Sequence, residues 1–279
     1  MIQIGIIGAT GRMGVELIKA VKENSKALML RKAICGDISD AKDNVTLFSN
    51  PNDDNGCKLE TDVASAFAGT EAVLDFSSLA ATKKWIDDGC AENYKGVILV
   101  GTSIDEETFV KLKKLGKTTR VIFSPNTSLC AMVTKQIVAT AAACLPAADA
   151  EIIETHHNRK IDSPSGFALD LGRAIAKVRK HKFDDVANFG RHGDKRRTHN
   201  EIGFSSIRGG NIIGENAVQF FLDDEVIEIK HTVLKRSVFA IGALEMVKAV
   251  VDNVDRSCFL TNEDVMDLLL KNNNYNKKL

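Results

Sequence analysis

Ile2-Gln3-Ile4-Gly5-Ile6-Ile7-Gly8-Ala9-Thr10-Gly11-Arg12-Met13-Gly14 opens the chain, and its reading decides how the first half folds. The run up to Ile7 is apolar enough for a parallel strand buried on both faces. A helical pattern follows, carried by Leu17, Ile18 and Val21. A strand, a glycine loop and a helix in that order form a dinucleotide-binding turn. Gly8 and Gly11 let the chain turn and let a pyrophosphate approach the backbone. Gly14 lets the helix pack closely on the sheet. The spacing is G-x-x-G-x-x-G rather than the commoner G-x-G-x-x-G. Alone it is a weak signal, and its context between a strand and a helix raises it.

The pattern then repeats. Strands are expected over 28–34, 72–77, 97–100 and 121–123, with helices over 80–92 and 106–115 between them. Such alternation predicts an open parallel sheet, which binds ligands beyond the carboxyl ends of its strands. Three turns fall there: Cys35-Gly36-Asp37, Gly101-Thr102-Ser103 and Ser124-Pro125-Asn126-Thr127. Asp37 stands where a carboxylate would read the adenosine ribose. Phe76-Ser77 ends the strand nearest a nicotinamide ring in such a fold, and Trp85 reads as core. Residues 40–60 read as a polar surface loop, and 272–279 as a polar tail.

The bulk properties exclude other classes. The 279 residues suit about two domains of roughly 150 residues each. Equal numbers of acidic and basic side chains, 37 each, argue against a nucleic-acid or membrane-surface binder working by bulk charge. Lys135 and Gln136 interrupt the apolar stretch 130–148, so it is no membrane span. The six cysteines are scattered and form no CxxC, as in a reduced enzyme. A strand-like run from Ile2 leaves no signal peptide ahead of the fold, and the expected location is cytoplasmic.

A second stretch carries the chemistry: Glu154-Thr155-His156-His157-Asn158-Arg159-Lys160-Ile161-Asp162-Ser163-Pro164-Ser165-Gly166-Phe167. An apolar run over 150–153 feeds it, and a helix leaves it. Ser163 is the expected N-cap and Pro164 the first helical residue. The N–H groups of Ser165, Gly166 and Phe167 would then face an anion, with Lys160 adding positive charge and the histidines adding groups that titrate near neutrality. Adjacent histidines with no further converging ligand make a poor metal site, so no metal is expected. The competing reading is a solvated polar loop. Arg191-His192-Gly193-Asp194-Lys195-Arg196-Arg197 either closes over a bound anion or is a solvated loop. Extended segments over 202–208, 211–221 and 226–231 imply a second, antiparallel or mixed sheet, with Ile227, Ile229 and His231 on one face. Helices over 237–254 and 261–270 end the chain.

Glu154-x-His156-His157-x-x-Lys160-x-Asp162-x-Pro164-Ser165-Gly166-x-Ala168 resembles the signature of the 4-hydroxy-tetrahydrodipicolinate reductase (dihydrodipicolinate reductase) family, with Phe167 where the family has Thr. Gly8-x-x-Gly11-Arg12-Met13-Gly14 resembles its glycine turn. Gly101-Thr102-Ser103 resembles its Gly-Thr-Thr, and Ser124-Pro125-Asn126-Thr127 its Ala/Ser-Pro/Ala-Asn-Phe. Thr127, Cys130 and the pair Cys35-Gly36 depart from the family's Phe, Gly and Glu-Arg. The resemblance covers nearly the whole chain and resumes at Arg208-Gly209-Gly210, Gly214-Glu215, His231 and Arg236.

It implies an α/β protein in two domains. Residues 1–127 with 237–279 would form a Rossmann dinucleotide-binding domain. Residues 128–236 would form an α+β substrate-binding and tetramerisation domain with an open mixed sheet. The implied reaction reduces a cyclic dicarboxylate imine with NADH or NADPH, in a homotetramer. By the resemblance, His156 exchanges the proton and Lys160 is a second donor. His157, Ser165, Gly166 and Phe167 hold substrate carboxylates. Gly8, Ala9, Thr10, Gly11, Arg12, Met13, Asp37, residues 101–103 and residues 124–127 line the cofactor. Arg236 contacts the cofactor or braces the return to the first domain. Two other readings compete: a different amino-acid-pathway dehydrogenase of the same plan, and a nucleotide sensor that has kept the fold without the chemistry.

Overall fold

The computed structural model describes residues 1–37 and 57–272. Most of the polar loop, and the polar tail beyond 272, lie outside these. The chain forms two compact units, Met1–Ser128 with Ser237–Leu279, and Leu129–Arg236.

The first unit is built on a parallel sheet. Its strands are β1 (Ile2–Ile7), β2 (Leu28–Ile34), β3 (Leu59–Glu60), β4 (Ala72–Asp75), β5 (Val97–Val100), β6 (Arg120–Phe123) and β12 (Cys258–Leu260). They lie in the order β12-β6-β5-β4-β1-β2-β3, and every pairing is parallel. Every residue of β4 and β5 is buried, as a strand covered on both faces demands. Connecting helices α1 (Arg12–Glu23), α2 (Leu79–Asp87) and α3 (Glu106–Leu115) supply the cover. The expected stripe of α1, Leu17, Ile18 and Val21, is at most 1% exposed. Asp105 caps α3 by accepting the Thr108 N–H at 3.0 Å. Helix α7 (Ser237–Asn253) packs on α1 and β5, and α8 (Asn262–Asn272) packs on α7, which joins the C-terminus to this unit. The order of strand addition reverses between β1 and β4. In open parallel sheets that switch point is where ligands bind. This is a Rossmann-like unit.

Several boundaries differ from expectation: the strand expected over 72–77 ends at Asp75, and the one expected over 211–221 starts at Gly214. Helix α2 ends at Asp87, not 92, because Gly89 turns with φ +68. Leu59 and Glu60 extend the sheet as β3, since their backbone pairs with Ala33 and Ile34. Ahead of the arginine-rich segment lie a short helix α6 (Phe183–Val186) and a two-residue strand β8 (Ala187–Asn188).

The second unit has a mixed sheet ordered β11-β10-β7-β9-β8, from β7 (Asp149–His156), β9 (Ile202–Arg208), β10 (Gly214–Phe221), β11 (Val226–Val233) and β8. Strand β7 runs parallel to β9 and antiparallel to β10. Helices α4 (Leu129–Cys144) and α5 (Gly166–Val178) cover one face. The register sets that face in rows. Ile202, Ala150 and Phe220 form one row, and Phe204, Ile152 and Val218 the next. These six are at most 4% exposed and pack with Leu171 and Ile175 of α5. Two residues further along, the row is Ser206, Glu154, Asn216 and His231. Side chains on a strand alternate in facing, so these polar residues share the helix-covered face with the core. The apolar rows anchor the helices, and the polar rows lie past them.

Candidate active site

Strand β7 does not end with its apolar run. It continues through Glu154 and His156, because Ser206 and Arg208 of β9 pair with them along the ladder. Polar groups on this face therefore meet polar groups. Glu154 is 1% exposed and accepts hydrogen bonds on both carboxylate oxygens. Arg208 Nη2 donates to Oε1 at 2.7 Å, and the Ser165 N–H donates to the same oxygen at 3.3 Å. The other oxygen, Oε2, accepts from His156 Nδ1. Burial pushes the Glu154 carboxyl up, but the bonds from His156, Arg208 and Ser206 outweigh it and hold the group at about 2. Arg208 also donates to the Asp162 carbonyl at 2.6 Å, which fastens the loop after His157 to the sheet. Gly214 lies on the far side of the imidazole. A Cβ built there would stand 3.1 Å from His156 Nε2, tighter than ordinary contact, so glycine gives that nitrogen room.

The helix begins later than expected. The N-cap is Ser165, not Ser163, and Gly166 rather than Pro164 starts α5. Ser165 wins because its hydroxyl reaches the Ala168 N–H at 3.3 Å while Glu154 takes its own N–H. Its hydroxyl also lies 3.5 Å from Asn216 Oδ1. The Ser165 N–H is thus engaged within the protein and is not open to a ligand, contrary to the expectation. Gly166 is exposed and faces open space, so the helix end keeps a free approach there. The Phe167 ring turns into the unit, packing on its core and edge-on to His231 at 5.7 Å between centroids. Burial lowers the His231 imidazole below its ordinary value.

Lys160 pairs with Asp162 at 2.7 and 2.8 Å. Burial raises the Asp162 carboxyl, and Lys160 more than offsets it, so the group is held low. His157 follows β7 directly, and its carbonyl accepts from the Lys160 N–H at 3.1 Å. The arginine-rich segment pairs with carboxylates of its own unit. Arg191 pairs with Glu151 at 3.0 Å and with Glu201, and Arg197 with Glu151 and with Asp149 at 2.9 Å. Gly203 makes this possible, since a Cβ there would fall on the Glu151 carboxylate.

In the first unit the switch point is shaped by absent side chains. Gly8 has φ +87, and a Cβ on Gly14 would lie 2.1 Å from the Gly8 carbonyl oxygen. Gly11 is the N-cap of α1 and supplies no side chain to it, so the helix end remains a backbone cradle. That cradle fits a pyrophosphate. Ala9 is buried, Thr10 and Met13 are half-buried, and Arg12 is exposed at the helix start. Asp37 is exposed just past β2.

Beneath the ends of β4 and β5 lies a hub around Asp75, which is fully buried. It accepts from Ser77 N at 3.0 Å, Thr82 Oγ1 at 2.6 Å, Trp85 Nε1 at 2.8 Å and Thr102 Oγ1 at 3.2 Å. The Thr102 hydroxyl therefore braces its turn, while Ser103 is exposed. The Phe76 ring lies against Gly101, where a Cβ would meet it at 2.2 Å. Ser124 and Thr127 are also buried and engaged, with Ser124 donating to the Asn126 carbonyl at 3.0 Å and Thr127 to the Phe239 carbonyl at 2.6 Å. Pro125 is the exposed residue of that turn. Arg236 is half-buried and closes the second unit directly before α7.

Reading the sequence assigned no role to Glu154, Arg208, Asn216, Gly214 or Asp75. The available signal was alternation: Ala150, Ile152, Glu154 and His156 continue one period-two face.

Comparison with known proteins agrees along the chain. A model of the dihydrodipicolinate reductase N-terminus matches residues 2–127, and one of its C-terminus matches residues 130–266. The 4-hydroxy-tetrahydrodipicolinate reductase of Sulfurovum sp. is 33% identical over 254 residues, covering 90% of this chain and 94% of that protein. The enzyme of the same name from Helicobacter pylori is 34% identical over 248 residues, covering 88% and 92%. Among solved structures, a dipicolinate-bound dihydrodipicolinate reductase from Paenisporosarcina sp. superposes with a TM-score of 0.70 at 22% identity, covering 94% of this chain and 97% of that one. A myo-inositol dehydrogenase from Corynebacterium glutamicum shares the fold at a TM-score of 0.58 and 15% identity, covering 98% and 95%. With both halves matched and relatives a third identical over nine-tenths of its length, the chain belongs to the dihydrodipicolinate reductase family.

Proposed function

We propose that this chain reduces 4-hydroxy-tetrahydrodipicolinate (dihydrodipicolinate) to tetrahydrodipicolinate with NADH or NADPH, a step of lysine and diaminopimelate biosynthesis. The observation that carries the reading is the buried Glu154–His156 pair beside the open N-terminus of α5, in a chain of the reductase family. The first unit is the dinucleotide-binding domain. Residues 8–13, Asp37, 101–103 and 124–127 would hold the cofactor there, and Arg236 is the further candidate. When bound, the reduced nicotinamide supplies a hydride. The second unit binds the substrate and carries the tetramer contacts. The Gly166 and Phe167 N–H groups, the Ser165 side and His157 face the carboxylates of the substrate. Lys160 reaches a carboxylate by exchanging it for Asp162. His156 supplies the proton that completes the reduction.

Two supports are coarser. The edge strand β11 leaves Val226 and Ile227 about half exposed, and Leu234 just past it is 82% exposed, which suits burial against copies of the chain. No helix among the described residues is long and apolar enough to cross a membrane. We place the enzyme in the cytoplasm, as a homotetramer. The test is NAD(P)H oxidation coupled to dihydrodipicolinate synthase. Absorbance at the reduced cofactor should fall only when both enzymes and their substrates are present. No oxidation by well-folded protein would overturn the reading.

A further inference from the structure

Glu154 has more partners than neutralisation requires. Arg208 alone offsets its charge, at 2.7 Å and through Oε1. The Ser165 N–H shares that oxygen. Oε2 is left to His156 Nδ1. The two oxygens thus have separate duties: Oε1 holds Arg208 and the end of α5, and Oε2 faces the imidazole. Glu154 is ionised at neutral pH, held at about 2 by His156, Arg208 and Ser206 against its burial. An ionised carboxylate only accepts hydrogen bonds, so the nitrogen facing it must carry a hydrogen. That fixes which imidazole nitrogen remains for chemistry. The remaining nitrogen, Nε2, lies on the side that Gly214 keeps clear. His156 itself is 12% exposed, enough for contact with a ligand at one edge.

We propose that Glu154 is the positioning residue of this site: it keeps the Nδ1 proton on His156, presents Nε2 to the substrate, and through the Ser165 N–H ties that nitrogen to the N-terminus of α5. The step is then balanced. The ring carbon of the substrate gains the hydride and its two electrons. The atom at the far end of the conjugated system gains the proton from Nε2. The imidazolium becomes a neutral imidazole with its hydrogen on Nδ1, and solvent reloads Nε2. A carboxylate that orients a histidine in this way is a recurring arrangement, and its loss leaves the wrong tautomer. Here one carboxylate also bonds the end of α5. Movement of the helix end and of the imidazole are therefore coupled.

The proposal rests on the reductase reading, and its test separates the two. Histidine tautomers are read in two-bond proton–nitrogen spectra of 15N-labelled protein, with His156 assigned by its loss in His156→Gln. In wild type the neutral ring of His156 should carry its hydrogen on Nδ1. A hydrogen on Nε2 overturns the proposal without any Glu154 variant and without any assay. In Glu154→Gln, Arg208 and the Ser165 N–H will keep the carbonyl oxygen on their side and turn the amide NH₂ toward Nδ1. The hydrogen should then move to Nε2, and kcat should fall about 10²–10⁴-fold, as for a wrong tautomer, with KM for the dicarboxylate changed less. An unchanged tautomer, or kcat within about threefold of wild type, would overturn it. Arg208→Gln should leave the hydrogen on Nδ1; a move to Nε2 would assign the role to Arg208 instead. A wild-type protein with the expected tautomer and no reductase activity would defeat the reductase reading alone.

Discussion

At the end of β1 the chain makes a binding place by leaving side chains out, and at the end of β7 it makes one by crowding them in. The glycine turn offers backbone N–H groups, a positive φ at Gly8 and a helix with no capping side chain. The sheet of the second unit offers Glu154, His156, Arg208, Ser165 and Asn216, each bonded to another. The difference follows from what each end must do. A pyrophosphate needs only donors and close approach. A proton donor needs a defined tautomer and orientation, and those come from neighbouring side chains. Changes at β7 should therefore act on turnover, and changes at β1 on cofactor binding.

The largest effect tests the crowded end. His156→Gln should lower kcat by about 10²–10⁴-fold, the loss expected when acid–base help is removed. Its melting temperature should change little, because the ring lies in the strand register beyond the apolar rows, level with Arg208. Near-normal turnover in a folded variant would remove His156 from the chemistry.

The acid limb of stability comes next. Glu154 is ordinarily a carboxyl of about 4.5 and is held near about 2 in the fold. Its folded value is depressed, so its stabilisation is full above about 4.5 and is lost as pH falls toward 2. The shift corresponds to at most about 3 kcal/mol. Urea midpoints of wild type and Glu154→Gln, taken from pH 5 to 2.5, should converge as pH falls. Parallel curves would show that the carboxylate is not held as described.

Much of this was legible before the structure, and the failures have a common cause. The parallel sheet, the glycine turn and the helices over 106–115 and 237–254 follow from local pattern, which is continuous along the chain. The end of β7 does not. Glu154 and His156 look like loop because they are polar. They stay in the strand because Ser206 and Arg208, some fifty residues on, complete the ladder. The same holds for the start of α5. Ser163-Pro164 satisfies every local rule for a helix start, and Ser165 takes the cap because Glu154 binds its N–H. Arg191 and Arg197 looked available for an anion because their partners Glu151 and Glu201 are distant in sequence or on another element. Thr102 and Thr127 lie in the turns where the sequence put them, but their hydroxyls face inward. Sequence pattern located the turns and could not say which atoms remain open.

Gly14→Ala tests the empty end. The new Cβ would lie 2.1 Å from the Gly8 oxygen and 2.6 Å from the Ala9 Cα, all backbone, so the turn must shift. The overlap should cost about 1–3 kcal/mol of stability. KM for the dinucleotide should rise about tenfold or more, while kcat at saturating cofactor stays near wild type. A fall in kcat with KM unchanged would break the division of labour between the two ends.

Phe167→Thr is milder and sharpens the same contrast. The ring packs on the core and on His231, so its removal should cost about 1–3 kcal/mol, counting the ring pair and the lost burial. The backbone N–H at 167 survives the change, and threonine adds a hydroxyl. Turnover should be kept, with KM for the dicarboxylate equal or lower. Loss of turnover without loss of stability would give the ring itself a role in the site.

The smallest effect concerns which dinucleotide is preferred. Asp37 is exposed just past β2, where the ribose of a bound dinucleotide is read in this kind of unit. A carboxylate there accepts hydrogen bonds from ribose hydroxyls and repels a 2′-phosphate. Cys35-Gly36 precedes Asp37 and provides no cation. Cys35 is instead tied into the sheet, its N–H donating to the Glu60 carbonyl at 2.9 Å. Arg12 works in the opposite direction. It is exposed at the first residue of α1 and is long enough to reach toward a phosphate. The balance predicts NADH used at least as well as NADPH, with a shallow preference. Asp37→Ala should shift the ratio of kcat/KM toward NADPH, and Arg12→Ala should shift it toward NADH. The measurement is that ratio in wild type and both variants at one ionic strength, since surface charges are screened by salt. A wild-type preference for NADPH above about tenfold, about 1.4 kcal/mol, would defeat the assignment of Asp37, and so would an alanine variant with the wild-type ratio.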